Sequence, residues 1–271
     1  MTADCVVDAS SLEELLSLVE ARDPAAVRAA AALGSPAGPE LALASALAIE
    51  GRRERRGTFI VVTGIDRSGK ETHVFNPRHV GGVRPLVDFM RDLGYDAMGI
   101  RQPEYDLLSG QLIRSYLGAE GSCRISGHLS RDVAWILWSL NRALLNAPAA
   151  LWLSGEGRAL VSKRWSESNV AYHAAQGVSP DRILSLEGRF IQPDLFLVLD
   201  VDPEVSARRM EGDADTFESR LGLLSAARAV LMDLGKYFPG STVVRVDASR
   251  EPGAVNRELQ QAIRDFLRRR S

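Results

Sequence analysis

Residues 58–72 read TFIVVTGIDRSGKET, and this stretch decides the fold. Its first six residues are mostly apolar and do not alternate with polar ones, which is typical of a strand buried on both faces of a parallel sheet. Directly after them, residues 64–70 match the phosphate-loop pattern G-x-x-x-x-G-K. Glycines let such a loop curl so that successive N–H groups point at an anion, and the helix that follows adds the positive end of its dipole. The stretch therefore predicts a strand, a phosphate-binding loop and a helix in succession.

Four more short apolar runs follow, and helical patterns separate them. They cover residues 96–100, 159–162, 195–201 and 241–246. Strands that alternate with helices predict an α/β fold with a doubly wound, five-stranded parallel sheet of the P-loop NTPase type. Ligands of such sheets bind at the carboxyl ends of the strands, so we expect the chemistry to lie just after those ends.

The N-terminal residues differ from the rest of the chain. Apolar residues at helical spacing after Ser10 predict a capped amphipathic helix, an alanine-rich helix follows, and a third helix is expected over residues 39–53. No glycine-rich loop or pair of catalytic groups occurs there. We therefore predict a helical N-terminal extension over residues 1–56, with a role in packing or oligomerisation, and a second domain over residues 57–271.

Composition excludes several classes of function. The net charge is -2, which gives no electrostatic case for binding a nucleic acid polymer or a membrane surface. No uncharged apolar run of about 18 residues is present to span a membrane, and the N-terminus lacks a signal-peptide pattern. Cys5 and Cys123 are too few and too distant to predict a disulfide framework, so a cytoplasmic location is expected. Two basic stretches, at residues 52–56 and 268–270, are interpreted as solvated helix ends.

Beyond the loop, the chain resembles the thymidylate kinase family. The resemblance begins with FIVVTGIDRSGKETH and continues in family order to about residue 268. Its further segments are QPE (102–104), GQLIRSYL (110–117), NR (141–142), KRWSESNVAY (163–172), QPDLFLVLDVDPE (192–204) and VDAS (246–249). Each segment is weakly specific alone, whereas their joint order is specific. The resemblance implies a nucleoside monophosphate kinase that uses ATP and Mg²⁺ to phosphorylate dTMP or a related, modified pyrimidine nucleotide, and it leaves a homodimer open.

The resemblance implies a donor side built around the phosphate loop. Its catalytic groups would be Lys70, Arg67 and Arg164, because cations there stabilise the charge that develops on the transferred phosphoryl group. The residues expected to bind ATP are Gly64, Ser68, Gly69, Lys70, Glu71, Thr72, Arg208 and Ala248. A short lid would begin at Arg208.

The resemblance also implies an acceptor side. The residues expected there are Asp66, Arg101, Trp138, Arg142, Arg164, Ser168 and Tyr172. Asp66 would hold the sugar hydroxyl, and the planar forks of Arg101 and Arg164 would bind the acceptor phosphate. Trp138 and Arg142 are four residues apart on one helix face, where they would stack on and hydrogen-bond the base. From its apolar neighbours alone, Trp138 is equally well explained as a core residue.

Two positions depart from the family pattern. Glu71 stands where the pattern has Ser or Thr, whose hydroxyl ligates Mg²⁺, and Lys163 stands where the family has an aspartate that positions Mg²⁺ and the donor phosphates. Glu71 is the one candidate metal ligand. Because the two positions converge on the phosphates, we expect Glu71 and Lys163 to form an ion pair. Three alternatives stay open: a kinase with altered metal or donor use, a nucleotide-binding protein with impaired catalysis, and a P-loop enzyme with a different acceptor.

A further departure lies after the loop. The chain between Lys70 and Gly94 is longer than the family pattern, and it contains Pro77. Proline is incompatible with a helix interior, so the helix that follows the loop is expected to end early.

Overall fold

The computed structural model describes residues 4–208 and 214–270 of the chain. Within these residues the strands are β1 (Cys5–Asp8), β2 (Thr58–Thr63), β3 (Asp96–Arg101), β4 (Cys123–Ser126), β5 (Arg158–Lys163), β6 (Leu195–Asp200) and β7 (Thr242–Asp247). The helices are α1 (Ala9–Glu20), α2 (Ala25–Ala31), α3 (Gly38–Glu50), α4 (Lys70–Val74), α5 (Leu86–Asp92), α6 (Leu108–Tyr116), α7 (Arg131–Trp152), α8 (Ser166–Ala174), α9 (Pro180–Glu187), α10 (Pro203–Arg208), α11 (Ala214–Met232), α12 (Leu234–Tyr237) and α13 (Pro252–Arg270).

The central feature is a five-stranded sheet in the order β3-β5-β2-β6-β7, in which every neighbouring pair is parallel. This confirms the predicted α/β fold, and all five predicted strands are present. Strand β2 lies in the middle, and each of its six residues is buried. A strand with helices on both faces of its sheet has no solvent-facing side, which explains why its sequence does not alternate.

The chain packs into two compact units. The helical unit comprises residues 4–54, 103–151 and 178–191, and the sheet unit comprises residues 55–102, 152–177 and the described residues from 192 onward. The predicted boundary at residue 57 divides the chain once, whereas packing groups the N-terminal residues with two later segments. As a domain boundary it stays a prediction.

The helical unit contains two short strands that the sequence analysis missed. β1 and β4 form a parallel pair in which Cys5 lies opposite Cys123, and the two cysteines are joined by a disulfide. The sequence did not predict this single bond, because the strand pairing brings together residues 118 positions apart in the sequence. The predicted helix after Ser10 is present, but its cap is Asp8, whose carboxylate accepts a hydrogen bond from the Ser11 backbone N–H at 3.0 Å.

The sheet unit confirms the early end of the helix after the loop. Helix α4 ends at Val74, three residues before Pro77. Asn76 takes a positive φ of 47°, and its side chain donates to the Val83 carbonyl at 2.9 Å and accepts from the Val80 N–H at 2.8 Å. Asparagine tolerates this left-handed conformation, so the chain turns sharply away from the helix.

A second feature of the sheet unit corrects the interpretation of the basic stretches. Asp194 precedes β6, and its carboxylate pairs with Arg55 at 2.7 Å and with Arg270 at 2.9 Å. The same carboxylate accepts from the Phe59 N–H at 2.7 Å. Both arginines therefore contact the residue that precedes β6. The interpretation as a solvated helix end is wrong for Arg55, whose side chain is 12% exposed, whereas Arg270 is exposed in the last turn of α13. Among the described residues, no helix is long and apolar enough to cross a membrane.

Candidate functional site

The loop between β2 and α4 has the backbone that its motif predicts. Gly64 and Gly69 take φ values of 140° and 94°, and Arg67 between them takes 59°. A Cβ on Gly64 would lie 2.5 Å from the Leu199 carbonyl oxygen and 2.7 Å from the Ser68 hydroxyl. Only glycine fits there, because both the conformation and the space exclude a side chain. The loop therefore curls tightly against the carboxyl end of β6.

Lys70 fills the centre of this loop. Its ammonium donates to the carbonyls of Gly64 and Ile65 at 2.9 and 2.5 Å, and it contacts the Ser68 hydroxyl at 3.2 Å. Burial, reinforced by the positive charges of Arg164 and Lys163, lowers the pKa of Lys70 well below its usual value. A compact ammonium held among backbone groups at the loop is suited to meeting phosphate oxygens.

Asp66, inside the loop, joins the loop to the end of β5 and to α8. Its carboxylate pairs with the guanidinium of Arg164, and its backbone N–H donates to the Tyr172 hydroxyl at 2.9 Å. The Ser206 hydroxyl donates to the Asp66 carbonyl at 2.5 Å. Arg164 also lies over the Tyr172 ring at 5.0 Å and contacts the Ser168 hydroxyl at 3.3 Å. Four residues predicted for the acceptor side are thus brought together.

The charges of this cluster are set by its contacts. Burial alone would raise the pKa of Asp66, but the charges of Arg164 and Lys70 outweigh burial and lower it. Burial acts to lower the pKa of Arg164, and the neighbouring Tyr172 and Asp66 raise it overall, while burial raises the pKa of Tyr172. At neutral pH the cluster is therefore an ionised Asp66–Arg164 pair beside a neutral tyrosine. Arg164 has a positive φ of 67°, which is uncommon outside glycine and marks a constrained position.

Glu71 and Lys163 form the ion pair that the sequence analysis predicted. The Lys163 ammonium donates to the Glu71 carboxylate. Arg101 places a guanidinium nitrogen 3.9 Å from the other carboxylate oxygen and packs over the Phe75 ring at 5.0 Å. Glu71 thus lies between two cations in the first turn of α4, directly after Lys70.

The protein side chains at this position do not fit a divalent cation. The Glu71 carboxylate is engaged by Lys163, whose ammonium would repel a metal ion bound beside it. Carboxylates and hydroxyls are the groups that hold Mg²⁺, whereas Lys163 brings an ammonium to this position. Across the described parts of the chain, no group of three or more Asp, Glu, His or Cys residues could hold a metal ion.

The remaining residues predicted for the donor side also belong to the sheet unit. Arg67 is exposed on the loop, and Thr72 follows Glu71 in α4 with partial exposure. The Ala248 N–H donates to the Asp200 carbonyl at 2.8 Å, which fixes the chain after β7 against the end of β6. Arg208 is exposed and pairs with Glu204 at 2.8 Å. The lid is predicted to begin at Arg208, and the residues that follow it, 209–213, lie outside the described part of the chain.

Trp138 and Arg142 belong to the helical unit, on α7. Arg142 is fully buried in an ion pair with Glu187 of α9, and the Ser139 hydroxyl donates to the same carboxylate at 2.6 Å. Trp138 is half-buried and meets the Tyr116 ring edge-on at 5.8 Å. A role of Trp138 and Arg142 toward the acceptor base stays a prediction.

Two buried carboxylates were missed by the sequence analysis. Glu187 is one, and Glu167 is the other. Glu167 is fully buried in α8 and accepts from the Trp165 N–H at 3.2 Å and the Ser168 hydroxyl at 2.9 Å. Its charge acts to raise the pKa of both Arg164 and Lys70. The sequence could have pointed to Glu167, because it lies in the same segment as the predicted site residues Lys163 and Arg164.

Comparison of the sequence with known proteins points to one family. The sequence model of the thymidylate kinase family matches residues 62–259. The chain is 28% identical over 198 residues to a probable thymidylate kinase of Pyrococcus horikoshii. This match covers 72% of this chain and 91% of the relative. It is 32% identical over 222 residues to a thymidylate kinase of Chromobacterium violaceum, covering 79% and 97%. A thymidylate kinase of Arabidopsis thaliana is 28% identical over 213 residues, covering 79% and 73%.

Proposed function

The chain belongs to the thymidylate kinase family and is a phosphotransferase, and we propose that it transfers the γ-phosphoryl group of ATP to dTMP or a related pyrimidine mononucleotide. The observation that carries the proposal is the direct pairing of Asp66, inside the phosphate loop, with Arg164, at the end of the adjacent strand. This pair joins a cradle for donor phosphates to a cation suited to an acceptor phosphate. The choice of acceptor comes from the thymidylate kinases to which the chain is similar.

On the donor side, the loop amides and the start of α4 would bind the β- and γ-phosphates of ATP. Lys70 would turn from the loop carbonyls to the phosphate oxygens, and Arg67 would meet the oxygens of the transferred group. Ala248 and Arg208 would lie beside the nucleotide. Phosphoryl transfer needs positioning and charge stabilisation rather than a covalent intermediate, and amides and cations are the groups that provide both.

On the acceptor side, Arg164 and Arg101 would bind the monophosphate, because a planar guanidinium can donate two parallel hydrogen bonds to phosphate. Asp66, Ser168 and Tyr172 would surround the sugar. Trp138 and Arg142, in the other compact unit, are proposed for the base on the family resemblance alone.

A second candidate function is a kinase-like protein that binds nucleotides but transfers phosphate poorly. The Glu71–Lys163 pair favours it, because the side chains expected to position Mg²⁺ are replaced. A phosphate-loop enzyme with another acceptor is a third outcome that the same experiment distinguishes.

The test measures ADP formed from ATP, magnesium and dTMP by the wild-type protein and by Lys70→Ala. Loss of a charge-stabilising group at a transferring phosphoryl should lower the rate by roughly 100-fold or more. Lys236→Ala, which removes an exposed lysine of α12, is the matched control and should keep the wild-type rate. Equal rates for wild type and Lys70→Ala would reject the kinase proposal for dTMP.

Calorimetry separates the alternatives. Binding of both ATP and dTMP without turnover would support the nucleotide-binding protein. Binding of ATP without dTMP would point to a different acceptor.

Assembly and location stay predictions. The resemblance leaves a homodimer open, and the small number of cysteines predicts a cytoplasmic location. The Cys5–Cys123 disulfide argues against a strongly reducing compartment, because such bonds are rare there. Migration of the native protein with and without a thiol reductant would show whether the disulfide forms.

A further inference from the structure

Lysine is rare in this chain, and its placement is informative. Of the 33 basic residues only three are lysines: Lys70, Lys163 and Lys236. Arginine makes the other side-chain ion pairs found in the described residues, whereas Lys163 makes the pair with Glu71. Lysine is a compact point charge on a flexible stem, while arginine is a planar fork suited to fixed pairs. Two of the three lysines therefore stand where a mobile ammonium would act on phosphate.

The position of Lys163 supports the same conclusion. It ends β5 opposite Val62 of β2, two residues before the loop begins at Gly64. Its charge is close enough to contribute to the lowered pKa of Lys70. Its partner Glu71 is the residue directly after Lys70. Lys163 therefore lies beside the loop that binds the donor phosphates, at the position where the family resemblance places a metal-positioning acid.

We propose that Lys163 supplies to the terminal phosphates of the donor the positive charge that a protein-held divalent cation would otherwise supply. Glu71 is the counter-ion that these phosphates displace from Lys163. The inference rests on the donor half of the proposed function. No bond is made or broken in the exchange, because an ammonium can donate to a phosphate oxygen as it does to a carboxylate oxygen.

The exposure of the Lys163–Glu71 pair and its neighbour Arg101 permit such an exchange. The Lys163 and Glu71 side chains are 25% and 35% exposed, so a ligand can reach both, and ion pairs open to solvent are weak. Arg101, 3.9 Å from Glu71, is a second cation to which the carboxylate can turn when Lys163 leaves it. Glu71 therefore need not become an unpaired charge facing the phosphates.

The experiment is calorimetric titration of the full chain with the non-hydrolysable β,γ-imido analogue of ATP, in EDTA and in excess MgCl₂. For the wild type we expect affinities in the two buffers that differ by less than roughly tenfold. Lys163→Asp should weaken binding in EDTA by roughly tenfold or more, and Lys236→Asp, the matched control, should not. The double variant Glu71→Ser/Lys163→Asp should bind roughly tenfold or more tightly in MgCl₂ than in EDTA.

Each other outcome has a defined meaning. A wild-type affinity that falls by more than roughly tenfold in EDTA overturns the inference and leaves the proposed function standing. Unchanged binding by Lys163→Asp in EDTA also overturns it. If that variant does not fold by circular dichroism, Lys163→Met is measured instead and has the same criterion. Absence of binding in both buffers removes the donor site and the inference together, whereas binding without dTMP turnover counts against the proposed function alone.

Discussion

The buried ion pair of the helical unit provides a quantitative test of what Arg142 does. Arg142 is 1% exposed and Glu187 is 0% exposed. Replacing Arg142 by methionine keeps most of its volume but leaves the Glu187 carboxylate in a site from which water is excluded. Breaking a buried pair from one side costs about 3–5 kcal/mol. Because the Ser139 hydroxyl still donates to this carboxylate at 2.6 Å, we expect the lower end, about 3 kcal/mol.

The assay is urea unfolding of the wild type, Arg142→Met and the double variant Arg142→Met/Glu187→Leu. The double variant removes the stranded charge and should recover roughly half or more of the loss. A KM for dTMP, measured on the folded single variant, gives the second readout. If Arg142→Met unfolds at the wild-type urea midpoint and only its KM rises, the structural reasoning is refuted and Arg142 acts on the acceptor.

Two further perturbations test the surroundings of the loop. Burial lowers the pKa of His73 from 6.5 to about 4. As pH falls, the imidazole is therefore protonated in the unfolded chain before it is protonated in the folded chain. The free energy of unfolding should decrease between pH 6.5 and about pH 4, by up to about 3 kcal/mol. His73→Gln should flatten this part of the curve of unfolding free energy against pH, and a variant curve parallel to the wild-type curve would contradict the lowered pKa. Gly64→Ala places a Cβ 2.5 Å from the Leu199 carbonyl oxygen and should weaken binding of the ATP analogue by roughly tenfold or more. Gly81→Ala is the control, because a Cβ there has no atom within 4 Å, and it should leave the affinity for the analogue unchanged. Equal affinities of the two glycine variants would show that the loop tolerates a side chain.

The five-stranded sheet could be predicted because its strands are continuous apolar runs. β2 is buried at every position, so its composition alone distinguishes it from a surface strand. The pair β1–β4 could not be predicted in the same way. Each strand has four residues of mixed burial, and each finds its partner more than 100 residues away. Short strands of this kind carry no periodicity long enough to recognise, so the disulfide between them was missed as well.

The candidate site also contains residues that the sequence could locate and residues that it could not. Asp66, Glu71, Lys163 and Arg164 could be located because loop and strand-end motifs fix their places on a known topology. Glu187 could not, since a carboxylate on an amphipathic helix is ordinarily solvated, and its partner Arg142 lies 45 residues away. A buried charge is recognised only when its partner is known, and sequence spacing does not provide that partner.

The two ion pairs at the loop have a common structural origin. Lys163 and Arg164 are consecutive, yet they reach acids five residues apart, because Arg164 leaves the strand in a left-handed turn with φ of 67°. Lys163 therefore continues toward α4 and Glu71, while Arg164 turns toward Asp66 within the loop. A strand that continued in extended conformation would place these side chains on opposite faces of the sheet. The same turn thus gives the two consecutive cations separate partners, so a substitution at Lys163 is expected to remove the pair with Glu71 and to leave the Arg164–Asp66 pair in place.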